Sequence, residues 1–238
     1  MRIAYGVHGY GRGHATRALS VLQSLSERHE IRLFAGGDAY DTLQAYHPVQ
    51  RIPCLSFAYE RGRRSHWQTL RKNLPALSDL LRGGPGVRTV LDELARFEPD
   101  VVVCDAEPWT RLAARRLGVP SIGFDHFGIL VHCRVALPVR DWLASCVDRT
   151  LYRWLNGACE RVLVSSFFGA APRRPGVQVV GPLLGDQVSR LTAVQGEHLL
   201  AYFNQGVSQL SLPVLDALAS LGREVRLYGL GREGSLGQ

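Results

Sequence analysis

The chain has 238 residues, of which 46% are hydrophobic and 8% are aromatic. These proportions are typical of a soluble globular protein and exclude a disordered or fibrous one. The length allows one large domain, or one domain with part of another. No run of about 18 apolar residues is present, which excludes a transmembrane helix. Met1 leads directly into a short apolar run without a charged and apolar leader, so we expect the protein in the cytoplasm.

The formal net charge is +7, from 28 Lys and Arg against 21 Asp and Glu. A basic chain often binds nucleic acid or an acidic membrane. Here Lys72 is the only lysine, and an Arg-rich composition alone produces the same excess charge. We therefore expect no nucleic-acid partner, and only a local cluster of charge indicates a binding surface. The cysteines are odd in number, widely spaced and without a C-x-x-C pair, which predicts reduced thiols and no zinc site.

The first part of the chain alternates short apolar runs with amphipathic stretches. Residues 3–7 predict a strand, apolar residues recur at helical spacing up to Leu25, and residues 30–35 predict a second strand. Further strands are predicted at 101–104, 121–124 and 161–164. Another strand begins at 177 and ends in a Gly-Pro turn at 181–182. Helices are predicted at 109–117 and 143–155. This order predicts an α/β fold with a Rossmann-like, doubly wound parallel sheet.

The composition changes around residues 177–186, and we place a domain boundary there, with domains at 1–184 and 185–238. In the second segment, a strand at 198–203, a helix at 210–221 and a strand at 224–228 predict one βαβ unit. Such a unit is too short to bury a core of its own. We therefore expect a truncated second Rossmann-like domain that ends in a Gly-rich tail.

Loops are predicted at 59–64 and 82–86, and the first begins a cluster of basic residues around an aromatic one. One interpretation is a solvated loop and helix face. The other is a surface for an anionic acceptor, or a peripheral contact with the inner face of the membrane. The residues that would make this contact are Arg61, Arg63, Arg64 and Trp67.

A turn with three glycines and a histidine follows the first strand. Gly9, Gly11 and Gly13 allow backbone N–H groups to approach a ligand, and the start of the next helix adds positive charge, which suits a diphosphate. As a dinucleotide fingerprint the turn lacks its third glycine, because His14 or Thr16 occupies that position. We therefore expect no nicotinamide or flavin cofactor.

Polar side chains follow three predicted strands at their carboxyl ends, where ligands bind in an open parallel sheet. They are His8 and His14 in the turn after the first strand, then Asp105 and Glu107, then Asp125 and His126, which Phe127 follows. A carboxylate beside a histidine fixes the histidine tautomer and stabilises the imidazolium. The pair His14 and Asp105 is the preferred candidate for such a base. The alternative is that His14 packs in the turn and Asp105 caps the following helix.

Three segments together resemble a known family. They are Gly-x-Gly-Arg-Gly-His-x-x-Arg at 9–17, Asp-Ala-Glu-Pro at 105–108 and Asp-His at 125–126. The chain is similar to a bacterial and archaeal branch of the GT-B glycosyltransferases. This branch is related to the N-acetylglucosaminyltransferase of peptidoglycan synthesis and, more distantly, to UDP-glucuronosyltransferases. The resemblance covers the first domain, the connector at 180–183 and the βαβ unit that follows.

The resemblance implies two Rossmann-like domains, with 1–184 on the acceptor side and 185–238 as the incomplete start of the nucleotide-sugar domain. It implies inverting transfer from a UDP-linked sugar to a hydroxyl acceptor, lipid-linked or anionic, with His14 as base and Asp105 as its partner, and without a metal or cofactor. We also predict substrate contacts at Gly9, Gly11, Arg12, Gly13, Arg17, Glu107, Asp125 and His126.

The sequence ends before the Gly-rich segment and the glutamate that hold the donor in relatives, so we expect weak or no transfer by this chain alone. Two alternatives stay open. One is a non-catalytic binding module derived from such an enzyme. The other is a sugar-nucleotide epimerase-like protein, which has the same fold.

Overall fold

The structure is a computed structural model that describes residues 1–60, 63–157, 159–203, 210–230 and 235–236. These residues form two compact units. The first comprises Met1–Leu55 and Ala76–Asp186, and the second comprises Ser56–Pro75 and the described part of Gln187–Gln238. The domain boundary that we propose after residue 184 lies next to the end of the first unit. The separate grouping of Ser56–Pro75 was not predicted from the sequence.

The strands are short and are numbered here along the chain. They are β1 (Arg2–Val7), β2 (Glu30–Ala35), β3 (Val49–Arg51), β4 (Tyr59–Glu60), β5 (Arg63–Arg64), β6 (Val101–Asp105), β7 (Ser121–Asp125), β8 (Cys133–Arg134), β9 (Arg161–Ser165), β10 (Ala171–Pro172), β11 (Val177–Val180), β12 (Leu199–Tyr202), β13 (Val225–Tyr228) and β14 (Ser235–Leu236).

The helices are numbered in the same way. They are α1 (Arg12–Leu25), α2 (Gly37–Leu43), α3 (His66–Arg82), α4 (Pro85–Phe97), α5 (Pro108–Leu117), α6 (Ile129–His132), α7 (Trp142–Asn156), α8 (Asp186–Ser189) and α9 (Leu212–Ala219), with a 3-10 turn at Val139–Asp141. Among the described residues, no helix is long and apolar enough to cross a membrane.

The first unit contains a seven-stranded sheet in the order β11-β9-β7-β6-β1-β2-β3, with every pair parallel. Along the chain, β1, β2 and β3 extend the sheet in one direction, and β6, β7, β9 and β11 extend it in the other. The order therefore reverses between β1 and β6. This is the Rossmann-like, doubly wound fold that the sequence predicted.

Helices cover both faces of this sheet, because alternate residues of a strand point to opposite faces. On one face, Ala4 of β1 lies in a buried cluster with Val90 of α4 and Ala113 of α5. On the other face, Tyr5 lies in a cluster with Ala18 of α1. Burial of apolar side chains on two faces provides most of the stability of such a unit, at about 1.5–3 kcal/mol per large side chain.

The two loops that the sequence predicted contain regular structure. The interval 82–86 is the junction of α3 and α4, where Gly83 adopts a positive φ of 64° and Pro85 begins α4. The interval 59–64 contains the antiparallel pair of β4 and β5. Arg61, one of the predicted membrane contacts, lies outside the described residues.

The second unit contains the βαβ unit predicted near the end of the sequence. β12 and β13 pair in parallel with α9 between them in the chain, and β14 pairs antiparallel to β13. In its other segment, the buried Asn73 side chain donates to the carbonyl oxygens of Ser56 and Thr69, both at 2.8 Å. These bonds fix the start of α3 to the chain before it.

Candidate active site

The candidate site lies at the carboxyl ends of β1 and β6, where the strand order reverses. Val7, the last residue of β1, pairs with Asp105, the last residue of β6. After β1 the chain turns through the glycines into α1, so the first turns of that helix lie beside Asp105. Ligands of open α/β sheets bind at such a reversal point.

Two side chains of α1 contact the buried carboxylate of Asp105. The Nδ1 atom of His14 lies 2.7 Å from Oδ1 of Asp105. Arg17 lies one helical turn further on, with Nε 3.2 Å from Oδ2 and with Nη2 bonded to Oδ1. Its guanidinium also lies over the ring of Phe124, 5.1 Å from the centroid. The predicted pairing of His14 with Asp105 is therefore present, and Arg17 completes the cluster.

Burial and charge act in opposite directions on this cluster. Burial alone raises the pKa of Asp105, but the charges and hydrogen bonds of His14 and Arg17 outweigh it and lower the pKa overall. Burial opposes the charge of Arg17, and the facing Asp105 raises the pKa of Arg17 above its ordinary value. Both groups are thus ionised at neutral pH, and the cluster has no net charge while His14 is neutral.

The carboxylate selects one tautomer of His14. Asp105 only accepts hydrogen bonds, so its 2.7 Å contact requires a proton on Nδ1 of His14. Arg17 Nη2 also lies 3.0 Å from Nδ1 of His14. A guanidinium only donates hydrogen bonds, so Asp105 and not Arg17 accepts the Nδ1 proton. Nε2 of His14 then carries the lone pair. Because 25% of the His14 side chain is exposed, this nitrogen is available for proton transfer from a ligand.

His8 and Tyr5 also belong to this cluster. The sequence placed His8 in the turn with His14 but assigned it no role, and Tyr5 was not predicted as a site residue. The ring of His8 meets that of His14 edge-on, with centroids 5.0 Å apart. The pKa of His8 is lowered to about 3, first by burial and then by the charge of His14. The charge of Asp105 raises this pKa, but by less than His14 lowers it. Burial, followed by the Asp105 charge, raises the pKa of Tyr5 well above its usual range. Side chains of a strand alternate between the two faces of the sheet. This alternation along β1 could have predicted that Tyr5 lies on the face covered by α1.

The low pKa of His8 predicts that acid destabilises the fold. Between about pH 6.5 and 3 the unfolded chain binds a proton at His8 and the folded chain does not, so stability falls as pH falls. The expected slope is about 1.4 kcal/mol per pH unit for this residue. His132, whose pKa is lowered to about 4 by burial, contributes in the same direction. We expect the free energy of unfolding, measured with urea at pH 6.5, 5.5 and 4.5, to fall less steeply with falling pH in His8→Gln than in the natural chain. An equal dependence on pH in both would contradict the low pKa of His8.

The glycine turn is packed against the connection between β2 and α2. The N–H of Gly11 donates to Oδ2 of Asp38 at 2.8 Å, and the N–H of Asp38 donates to the carbonyl oxygen of Gly9 at 2.9 Å. A Cβ atom at Gly9 would lie 2.6 Å from the Cβ of Cys54. The Gly11 N–H, which the sequence suggested for an anion, is thus engaged within the protein, and Gly9 is required for close packing.

This packing predicts opposite effects for two glycines. Gly11 has φ 79° and ψ 161°, a conformation that only glycine adopts easily, so Gly11→Ala is expected to cost about 1–3 kcal/mol. Gly13 is helical, and a Cβ atom there meets nothing within 4 Å, so Gly13→Ala is expected to stabilise α1 by about 0.5 kcal/mol. Urea unfolding of both variants measures the difference. A loss at Gly13 as large as that at Gly11 would contradict the conformational requirement at Gly11.

Glu107 caps α5, although it was predicted to bind substrate. Its carboxylate accepts from the N–H groups of Trp109 and Thr110, both at 2.7 Å, and from the Thr110 hydroxyl at 2.5 Å. With 2% of its surface exposed, Glu107 has no oxygen left for a ligand. The expectation for Glu107 is corrected, and so is the alternative that Asp105 caps this helix. Ala106, with a positive φ of 50°, turns the chain between the two acids.

Asp125 is also engaged inside the protein. It is 2% exposed and accepts from the N–H of Gly128 at 2.5 Å and from the hydroxyl of Tyr152. Burial, and then repulsion from Asp105, raise the pKa of Asp125, while the Tyr152 bond lowers it. The prediction that Asp125 contacts substrate is therefore corrected: Asp125 stabilises the chain at the end of β7. Tyr152 lies on α7, and no local sequence signal links the two.

The remaining predicted contacts reach the surface. Arg12 and Gly13 are exposed at the start of α1, and His126 is exposed after β7. Nδ1 of His126 lies 2.7 Å from the carbonyl oxygen of Ser165, which places a proton on Nδ1 and leaves Nε2 as an acceptor. Among the described residues, no three His, Cys, Asp or Glu side chains are grouped in a way that would hold a metal ion.

Doubly wound α/β sheets often bind nucleotides at the reversal point of the strand order, which is where His14 and Asp105 lie. The sequence model of glycosyl transferase family 1 matches residues 1–237, and the chain belongs to this family. No match was found among curated protein sequences.

Solved glycosyltransferase structures have a similar fold. The chain aligns over 95% of its length with 65% of the calicheamicin glycosyltransferase CalG4, at a TM-score of 0.55 and 16% identity. It aligns over its whole length, 100%, with 68% of the spinosyn forosaminyltransferase SpnP, at 0.53 and 12%. It aligns over 95% with 67% of SsfS6 from Streptomyces sp. SF2575 in complex with thymidine diphosphate, at 0.51 and 18%. The fold is thus part of a GT-B glycosyltransferase.

The chain spans only part of these proteins. It covers 59% of MurG from Acinetobacter baumannii and 65% of CalG4. The identities to CalG4, SsfS6 and SpnP are all below 20%, so these three likenesses establish the fold and leave activity and substrates to be argued from the site itself.

Proposed function

We propose that this chain acts in the transfer of a sugar from a UDP-linked donor to a hydroxyl acceptor, with residues 1–184 on the acceptor side and 185–238 as the start of the donor domain. The observation that carries the proposal is the 2.7 Å contact between Nδ1 of His14 and Asp105 at the reversal point of the sheet. It leaves a basic nitrogen at the one edge where a ligand of this fold binds. The complex of SsfS6 with thymidine diphosphate supports a nucleotide diphosphate as the donor group.

In the proposed reaction, Nε2 of His14 accepts the proton of the acceptor hydroxyl. The hydroxyl oxygen forms a bond to the anomeric carbon of the sugar while the bond from that carbon to the diphosphate oxygen breaks. The electron pair of the broken bond leaves with the diphosphate, so attack from the opposite side inverts the anomeric configuration. Asp105 holds the Nδ1 proton and stabilises the imidazolium that forms.

Arg17 has a supporting part in this proposal. It forms two hydrogen bonds to Asp105 and fixes the carboxylate, so that the ring of His14 has one orientation. Arg12 and Gly13, exposed at the start of α1, and the exposed His126 are the proposed contacts for substrate. The positive end of α1 favours the anionic leaving group, and no metal ion is required by these steps.

The basic surface before α3 is a proposed peripheral contact with anionic lipid. Trp67 is 72% exposed, and Arg63 and Arg64 precede it. We expect this chain to sediment with vesicles of phosphatidylglycerol and less with vesicles of phosphatidylcholine, and Trp67→Ala to reduce the anionic binding several-fold. Equal binding to both vesicle types would contradict this contact.

The stereochemistry of the product tests the proposed reaction. A UDP-sugar and a hydroxyl acceptor are incubated with this chain and, separately, with a full-length relative, and proton NMR reads the anomeric coupling constant. Inversion without loss of rate in EDTA is the expected result. Retention, or a rate abolished by EDTA, would contradict the proposed chemistry. Acceptor binding without transfer in both proteins would instead favour a non-catalytic binding module.

A further inference from the structure

Two buried cysteines meet on the face of the sheet opposite to the candidate site. Cys104 is in β6, and Cys159 precedes β9. Cys104 immediately precedes Asp105, but it belongs to the buried cluster on the face that α4 and α5 cover. The thiol of Cys104 donates a hydrogen bond to the sulfur of Cys159. The two cysteines are far apart in the sequence, so only the fold brings them together.

Gly123 of β7 provides the space in which the two sulfurs meet. It pairs with Cys104 on one side and with Val162 of β9 on the other. Residues in register on neighbouring parallel strands point to the same face, about 4.8 Å apart. A Cβ atom at Gly123 would lie 3.4 Å from Sγ and 3.6 Å from Cβ of Cys159. The Cys159 side chain therefore lies above Gly123, beside Cys104. A disulfide holds its Cβ atoms about 3.5–4.5 Å apart, slightly less than the strand spacing.

The surroundings make Cys159 the nucleophile of the pair. The hydrogen bond from Cys104 lowers the pKa of Cys159 below its ordinary value, against the effect of burial. Ser121 and the charge of Arg111 lower this pKa further. The same hydrogen bond and burial raise the pKa of Cys104, so the proton of the pair stays on Cys104. Arg111 is itself buried, and its guanidinium is packed against Gly157, where a Cβ atom would lie 2.4 Å from Nη1.

A small cavity borders the pair and limits which oxidant can reach it. Its walls include Cys104, Cys159, Gly123 and His132, and it has room for about one molecule of the size of water. Hydrogen peroxide, which oxidises thiolates, is only one oxygen atom larger than water. A large oxidant such as glutathione disulfide does not fit into this space. The cavity therefore favours a small peroxide as the oxidant of these thiols.

We propose that Cys104 and Cys159 form a modification site at which hydrogen peroxide produces an intramolecular disulfide. The thiolate of Cys159 attacks one peroxide oxygen, so an S–O bond forms, the O–O bond breaks, and the released hydroxide takes up a proton to leave as water. The sulfur of Cys104 then attacks the sulfenic acid on Cys159. The S–S bond forms, the S–O bond breaks, and the Cys104 proton leaves with the hydroxide as a second water. The two sulfurs lose two electrons, which reduce one peroxide to two molecules of water. This inference is independent of the proposed function.

Peptide mapping of the natural chain tests the site directly. The folded chain is treated with hydrogen peroxide, its remaining thiols are alkylated, and it is digested with trypsin without reduction. Cleavage after arginine releases Cys104 in the peptide 97–111 and Cys159 in the peptide 154–161. The expected product is these two peptides joined, with a mass about 2 Da below their sum, and dithiothreitol is expected to separate them. Recovery of both peptides in alkylated form after peroxide would overturn the proposal.

Two variants test the order of the steps and the choice of cysteines. In Cys104→Ser the hydroxyl still donates to Cys159 but cannot form a disulfide, so dimedone, which reacts with sulfenic acids, is expected to label Cys159. Absence of this label would contradict Cys159 as the attacking sulfur. Cys146→Ser removes a cysteine of α7 that is more exposed than either member of the pair, and is expected to leave the yield of joined peptides unchanged. Oxidation of Cys146 in preference to the pair would mean that exposure alone decides, and would overturn the site.

Discussion

Asp105→Ala is expected to lower the free energy of unfolding by about 3–5 kcal/mol. The variant leaves Arg17, whose side chain is only 13% exposed, as a buried cation without its carboxylate. It also removes the hydrogen-bond acceptor of His14. Urea unfolding at pH 7 measures the loss. Arg96→Ala, which removes the exposed partner of Glu93, is the matched control and is expected to cost less than about 1 kcal/mol.

A double-mutant cycle separates the ion pair from the loss of packing. Asp105→Ala combined with Arg17→Ala removes both charges, so its cost is expected to be smaller than the sum of the two single costs by about 1–3 kcal/mol. Strictly additive costs would mean that the two residues do not interact, and the electrostatic account of this cluster would be wrong.

His14→Ala is expected to lower turnover by about a thousandfold, within the range of general-base catalysis and its loss. The KM for the nucleotide-sugar is expected to change less than about threefold, because His14 acts on the acceptor. Release of the nucleoside diphosphate gives the rate. It is measured in a full-length relative with the matching histidine replaced, because we expect weak or no transfer by this chain alone. His47→Ala is the matched control and is expected to leave turnover unchanged. His47 precedes β3 and so lies at the amino ends of the parallel strands, whereas His14 lies at their carboxyl ends.

The kinetic pattern decides the role of His14. A loss confined to turnover supports a base that acts in the transition state. An equal loss of turnover and donor affinity would contradict that role and would make His14 a binding residue.

The fold was predictable from the sequence because its signals are local. The apolar runs that became β1, β2, β6 and β7 are bounded by turn residues, and Gly118, with φ 69°, ends α5 as its type suggests. The pairing of His14 with Asp105 followed from a single rule, namely that parallel strands end at one edge. Helices α2 to α4 were not predicted, although Val87, Val90, Leu94 and Phe97 recur at helical spacing on the buried face of α4.

The site was less predictable where long-range contacts decide the role of a residue. Glu107 looked like a ligand because it follows a buried strand, but its carboxylate turns back onto Thr110 once Ala106 adopts a positive φ. Asp125 is removed from the surface by Tyr152, which is 27 positions away in sequence. Neither contact has a sequence pattern. All three acids are buried, and it is the hydrogen-bond partners that distinguish Glu107 and Asp125 from Asp105, which contacts His14.

The tautomer of His14 tests the central claim most directly, because the base role requires a lone pair on Nε2. Nitrogen-15 chemical shifts of the imidazole in the isotope-labelled chain report which nitrogen carries the proton of the neutral ring. The predicted result is a proton on Nδ1, held by Asp105, and none on Nε2, with this preference lost in Asp105→Ala. A proton on Nε2, with Nδ1 accepting from Arg17, would contradict the account.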